Sequence, residues 1–127
     1  MNVEDIKGLK PKIKPLVSEL IRLDVETVWS CEGNNNWGDK FPWVAIALKD
    51  LDKAKKLVNL YNKMIKEAGR EDEIFWITLD SPAALMPDIK NKKIPLEKLQ
   101  ENALRFAEFI SNLNEIPETD MSSNAYC

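Results

Sequence analysis

The most informative absence in this 127-residue chain is histidine, of which there is none. Histidine supplies the general base of most hydrolytic triads and is the commonest protein ligand of zinc and of haem iron. The sequence therefore excludes those sites. Cysteine is also scarce, and Cys31 and Cys127 are too few for a zinc site built from cysteine alone. Oxygen ligands for a hard cation remain, but they lack EF-hand spacing, so we expect no metal.

Long apolar runs are absent as well. No segment approaches the roughly 20 apolar residues of a membrane-spanning helix. Residues 1–9 carry Glu4, Asp5 and Lys7 and do not resemble a signal peptide. We therefore expect a cytoplasmic protein without a membrane partner, and we expect both cysteines to be free thiols in a reducing compartment.

A basic excess is missing too. The chain has 18 basic and 21 acidic residues, for a net charge of -3. Nucleic-acid binding usually needs a positive field, so nucleic acid is not the expected partner. The run 90–93 contains three lysines without interleaved aromatic residues, and we interpret it as a solvated loop. No glycine-rich phosphate loop and no nucleophile elbow occurs, so no cofactor is predicted.

Three segments show apolar residues at three- and four-residue spacing, which predicts amphipathic helices. The first covers 14–23, with Pro15 in its first turn. The second covers 51–68, with Asp50 as its N-cap and Gly69 as its C-terminal stop. The third begins after Pro95 and continues to about residue 113.

Strands are indicated where β-branched and aromatic residues concentrate, at 25–31, 43–48 and 74–79. Alternation places Val25, Thr27, Trp29 and Cys31 on one face of the first strand. Trp29, Trp43 and Trp76 lie on predicted strands, and we expect most of them to pack in the core. The second and third strands are apolar on both faces. Residues 83–89 are ambiguous, because Pro87 would confine a strand there to the edge of the sheet.

The resulting order is α-β-β-α-β-(β?)-α, an α+β fold arranged as an α/β sandwich. A strand, a helix and a strand with short connections form a βαβ unit. We therefore predict a small mixed sheet of three or four strands in which the second and third are parallel. Residues 1–117 form one domain, and 118–127 are a polar tail that we expect to be mobile.

The loop at 32–42 is the richest candidate site. It joins two core strands, its two glycines allow close approach to the backbone, and its amide and aromatic side chains can contact a ligand. The predicted ligand-binding residues are Glu32, Asn34, Asn35, Asn36, Trp37 and Asp39. Solvated turn residues would have the same composition, and Trp37 fits an anchor for a partner as well as a lid over the sheet.

Cys31 has two interpretations. Its position on the strand favours a buried apolar filler, whereas a nucleophile would need a base, for which Glu32 and Asp39 are the nearby candidates. An ionised carboxylate beside a thiol raises the thiol pKa, which argues against catalysis. The segment Ser30-Cys31-Glu32-Gly33 is similar to the Ser-Cys-x-Gly segment of tRNA wybutosine-synthesising methyltransferase-like proteins. The similarity covers four residues and implies no function for this chain.

Three functions fit these residues. The first is a small binding or regulatory domain that contacts a small molecule or a protein through loop 32–42, and through the strand end at 79–82 as well if the two lie at the same edge of the sheet. The second is an enzyme with Cys31 as nucleophile and a carboxylate partner. The third is a protein-interaction module in a homo-oligomer, because strands that are apolar on both faces need more cover than three short helices provide.

Overall fold

Three helices begin and end close to the residues that the sequence indicates. The computed structural model describes residues 9–34, 40–70, 73–89 and 93–117, and the predicted tail 118–127 lies outside these ranges. The elements in chain order are α1 (Lys14–Arg22), β1 (Thr27–Cys31), β2 (Trp43–Ile46), α2 (Leu51–Glu67), β3 (Trp76–Asp80), β4 (Ala83–Pro87) and α3 (Leu96–Ser111). A 3-10 turn, Leu48–Asp50, precedes α2. The α+β class and the order α-β-β-α-β-β-α are confirmed.

The sheet has four strands in the order β1-β2-β4-β3, and each neighbouring pair is antiparallel. The prediction of a mixed sheet is therefore wrong. β2 and β3 do run parallel, as expected for strands joined through α2, but β4 lies between them. The physical reason is the two-residue connection from Asp80 to Ala83, which folds β4 directly back along β3 and places it where β2 would otherwise pair.

β4 lies inside the sheet and not at its edge. The ladder to β2 joins Val44 to Leu85 and Ala45 to Ala84, whereas Pro87 is paired only with Trp76 of β3. Pro87 is the last residue of β4 and lies beyond the part that pairs with β2. Its missing N–H therefore costs no hydrogen bond in that ladder, and the expectation that proline would confine this strand to an edge does not hold.

An irregularity in β1 changes which face its residues occupy. Thr27 is paired with Ile46 and Trp29 with Ala45, so two steps along β1 correspond to one step along β2. A bulge of this kind reverses the alternation of side chains beyond it. Thr27 is buried, but Trp29 is 66% exposed, which corrects the expectation that Trp29 belongs to the core.

The core forms on one face of the sheet, beneath all three helices. Its central side chain is Trp76, whose ring lies 5.0 Å from that of Phe106, and Phe106 in turn stacks on Tyr61 at 4.6 Å. The Trp76 indole N–H donates to Asn102 Oδ1, and Asn102 Nδ2 donates to Glu73 Oε2 at 2.9 Å. Burial raises the pKa of the Tyr61 hydroxyl, which stays neutral in this environment.

The outer edge of β3 is bound by a side chain of α2. The backbone N–H of Trp76 donates to Asn62 Oδ1 at 2.9 Å, and Asn62 Nδ2 donates to the Trp76 carbonyl at 2.8 Å. The amide of Asn62 thus takes the place of a neighbouring strand at this residue and joins α2 to the sheet.

Asp50 fixes the start of α2 to the turn before β1. Its buried carboxylate accepts the Glu26 backbone N–H at 2.8 Å and forms an ion pair with Lys53 at 3.4 Å. The hydrogen bond from Glu26 lowers the Asp50 pKa, burial opposes that shift, and Lys53 adds to it. The expected N-cap position is confirmed, although the carboxylate binds a distant backbone amide and not its own helix.

We expect Asp50→Asn to destabilise the protein by about 1–2 kcal/mol at pH 7, because a hydrogen bond to a charged acceptor is stronger than one to an amide. The native pKa of Asp50 lies below its unfolded value, so the ionised carboxylate stabilises above pH 3.8 and that contribution is lost as the pH falls through the native pKa. The difference in the free energy of unfolding between wild type and variant, measured by urea unfolding, should therefore decrease below that pH. The exposed neighbour Asp52, changed to Asn, is the matched control, and an identical pH profile for both variants would contradict this role.

Candidate functional site

One row of side chains crosses all four strands on the sheet face opposite the helices. Residues directly opposite one another in an antiparallel pair lie on the same face. Pairing is continuous from β1 through β2 and β4 to β3, and the row consists of Trp29, Ala45, Ala84 and Leu79. Two large side chains therefore lie at the outside of this row and two alanines at its centre.

A second row runs beside the first. Cys31 is paired with Trp43, and Met86 with Ile77. The register between β2 and β4 continues from these residues so that Trp43 lies next to Met86. The small side chain of this row is at its β1 end, and large side chains occupy the other three strands. The order is therefore the reverse of the first row on β1, β2 and β4, but not on β3. We call the surface formed by these eight residues the open face.

The open face is apolar and lies outside the core. Core residues of the same strands, among them Val44, Leu85 and Trp76, belong to the opposite face beneath the helices. On the open face, Trp29 is 66% and Leu79 39% exposed. None of the eight residues is charged, although 31% of the chain is. Exposed apolar surface of this kind is typical of interaction sites.

A shallow cavity of about 180 Å³ lies on the open face over Ala84. Its walls come from both ends of the sheet: Phe41 and Trp43 lie at the start of β2, and Leu79 and Pro82 at the turn from β3 to β4. Loop 32–42 and the strand end at 79–82 lie at opposite ends of the strands, as their directions require. Their side chains nevertheless line one cavity, because strands of four or five residues are short enough for both to reach it.

Cys31 is half-buried at the end of β1, on the open face beside Trp43. Its Sγ accepts the Gly33 backbone N–H at 3.3 Å. Within the described residues this is the thiol's hydrogen bond, and it involves no carboxylate. The predicted partner Glu32 is held elsewhere: its Oε1 accepts the Lys12 N–H at 3.1 Å, and its carbonyl accepts from Gln100 Nε2 at 3.0 Å.

The other predicted ligand-binding residues fall largely outside the described ranges. Asn35, Asn36, Trp37 and Asp39 lie there, and Asn34 is described as half-buried. The structure thus brings Glu32 and Asn34 to the end of β1, but neither of them lines the cavity. Among residues 9–34, 40–70, 73–89 and 93–117, no three cysteine or acidic side chains form a group that could hold a metal ion.

Half of the residues around the cavity lie within the segments predicted as a contact surface, namely Phe41, Leu79 and Pro82, although no individual role was predicted for them. Trp43, a tryptophan of the predicted core strands, is half-buried on the open face and not part of the core. The sequence nevertheless contains an indication of this surface. Its second and third predicted strands are apolar on both faces, and the chain has too few helices to cover both. That pattern predicts an uncovered face without telling which residues meet on it.

A second cavity, of about 320 Å³, lies beside Asp50. It is lined mainly by charged residues that bind one another: Lys49 pairs with Glu26 at 3.3 Å, and Lys53 Nζ donates to the Asp24 carbonyl at 3.1 Å. These contacts join the turn before β1 to the start of α2. Because they pair the charged residues around the cavity with one another, we assign the cavity no function.

No protein-family model, no curated protein and no solved structure matches the chain. Across the described part of the chain, none of the helices has the length and apolar character needed to cross a bilayer. The open face and its surroundings are therefore the features of the molecule that bear on its function.

Gly33 closes the base of loop 32–42, and its replacement should be costly. Its φ is +92°, and a Cβ there would lie 2.5 Å from Leu96 Cδ1 and 3.1 Å from the Phe41 carbonyl carbon. We expect Gly33→Ala to lower the free energy of unfolding by about 3 kcal/mol through strain and crowding. Gly69 has a φ of +66° and open space around it, so Gly69→Ala should cost only about 1 kcal/mol. Equal losses in urea unfolding would show that Gly33 is not a packing constraint.

Proposed function

We propose that this protein is a small binding domain whose contact surface is the open face, bordered by the ends of loop 32–42. The observation that supports it is a cross-strand apolar surface, free of charge, that none of the three helices covers. A fully buried large side chain stabilises a protein by roughly 1.5–3 kcal/mol. Trp29 and Leu79 are partly exposed in the isolated chain and so lack part of that stabilisation. A partner that covers them would provide it.

The chemistry of the face favours an apolar protein surface as the partner. Small-molecule sites usually enclose about 300–1,000 Å³ and carry a few converging polar groups. The cavity here is about 180 Å³ and is lined by six apolar residues. Nucleic-acid sites need lysine or arginine against the phosphates, and neither row contains one. A single large apolar side chain inserted over Ala84 fits both the size and the lining.

Indole, as a model of one aromatic side chain, tests this surface. We expect it to shift the backbone amide resonances of Trp43, Ala84 and Met86 in a ¹H–¹⁵N NMR titration, with a dissociation constant in the millimolar range or above. Leu79→Glu should abolish those shifts, because it places a charge at the wall of the cavity.

The matched control is Leu104→Glu. Leu104 of α3 is 37% exposed, close to the 39% of Leu79, but it lies in the helical layer. This variant should bind indole as wild type does. Shifts scattered over the helices, or equal loss in both variants, would contradict the assignment of the open face as the contact surface.

A second candidate function is an enzyme with Cys31 as its nucleophile, and the observation in its favour is that Cys31 is half-buried on the open face and not part of the core. Against it stands the position of Glu32, whose carboxylate is bound to the backbone at the start of α1. In the described part of the chain, no acidic side chain is hydrogen-bonded to the thiol.

Thiol alkylation distinguishes the two candidates. In a Cys127→Ser variant, Cys31 is the one remaining cysteine, and we expect it to react more slowly at pH 7 than an exposed thiol of ordinary pKa, near 8.5. The Gly33 N–H and the neighbouring Trp43 restrict access to the sulfur. The rate is measured against pH with iodoacetamide, using a Cys31→Ser variant as the reference for Cys127. Faster alkylation of Cys31 than of Cys127 at neutral pH would favour the enzyme.

A further inference from the structure

We infer that the partner of the open face is a second copy of this chain, packed face to face about a two-fold axis that runs across the strands between the two rows. This inference rests on the proposed function and names the partner of the same surface. It is carried by the order of large and small side chains, which is reversed between the two rows on β1, β2 and β4.

The first row reads large, small, small, large: Trp29, Ala45, Ala84, Leu79. The second reads small, large, large, large: Cys31, Trp43, Met86, Ile77. A two-fold rotation about an axis between the rows places each row of one copy over the other row of its partner. Trp43 then lies over Ala45, Met86 over Ala84, and Trp29 over Cys31. On β3, at the edge of the face, Leu79 lies over Ile77, and there two large side chains oppose each other.

Each large side chain in the centre of one face therefore meets an alanine of the other. Facing sheets pack about 10 Å apart, and their side chains interdigitate only where large residues oppose small ones. The cavity over Ala84 is the gap that the Met86 side chain of the second copy would fill. Both contacts occur twice, as an isologous interface requires.

The absence of charge supports a second copy in particular. A two-fold interface brings a surface against itself, so a charged residue near the axis faces its own copy at close range and is repelled. Neither row contains a charged residue, in a chain of which 31% is charged. A partner recognised through opposite charges would need charged residues on the open face. A face without charge offers such a partner no selectivity.

The area of the face sets the strength of this association. With strands about 4.8 Å apart and about 3.4 Å of rise per residue, the open face measures roughly 300 Å² before side-chain relief is counted. A stable interface buries about 800 Å² on each partner, so the open face belongs to the small, transient class. We therefore expect a reversible dimer with a dissociation constant in the micromolar range or weaker, formed by chains that fold as monomers.

Sedimentation equilibrium of the full chain tests the inference. From about 10 μM to about 1 mM, wild type should move from monomer toward dimer. Trp29→Glu should weaken the association at least tenfold, because two charges would enter the interface for each dimer. Leu104→Glu adds the same charge in the helical layer and should leave the dissociation constant within about twofold of wild type. Circular dichroism confirms that both variants are folded.

The arrangement of the two copies has its own readout. A dimer mixed from ¹³C-labelled and unlabelled chains should give an intermolecular nuclear Overhauser effect between the Met86 ε-methyl and the Ala84 β-methyl. A monomer up to about 1 mM would overturn the inference, and so would a dimer that Trp29→Glu and Leu104→Glu affect equally. Neither result affects the indole titration, which is done at low protein concentration. The open face would therefore remain the proposed binding surface even if the protein does not dimerise through it.

Discussion

Trp76, through its side chain and its backbone, joins β3, α2 and α3. Its ring packs against Phe106 of α3, its indole N–H binds Asn102 of the same helix, and its backbone is bound by Asn62 of α2. Both long helices are thereby held on one face of β3. Because α1 packs against α3 on that side as well, the three helices form one layer, and none of them covers the opposite face of the sheet.

The bulge in β1 gives the open face its largest side chain from this strand. Without the extra residue at Val28, regular alternation would place Trp29 on the side of Thr27, under the helices. With it, Trp29 lies beside Ala45 on the open face, and Ser30 lies opposite Val44 on the helical side. One register shift thus decides which of these two residues faces the helices.

The sequence was sufficient for features that depend on local periodicity. The helical stripes, Asp50 before α2 and Gly69 after it all lie where spacing indicated, because they reflect residues three or four apart. Features that depend on pairing between strands far apart in the sequence could not be predicted from it. The interior position of β4 follows from the tight turn after Asp80, and the face of Trp29 follows from a register shift against β2. Neither has a signature in the residues of a single strand.

The candidate site illustrates the same limit at the level of chemistry. The polar residues of loop 32–42 are contiguous in sequence and therefore predict a site. In the structure, however, the Glu32 carboxylate accepts the Lys12 backbone N–H just before α1, and the Glu32 carbonyl accepts from the Gln100 side chain of α3. The open face is assembled from four strands, and each contributes only two apolar residues that any core would also contain. What distinguishes the face is the order of large and small side chains across the strands. That order exists only once the register is set, because it is a property of the pairing between strands and not of any segment of the chain.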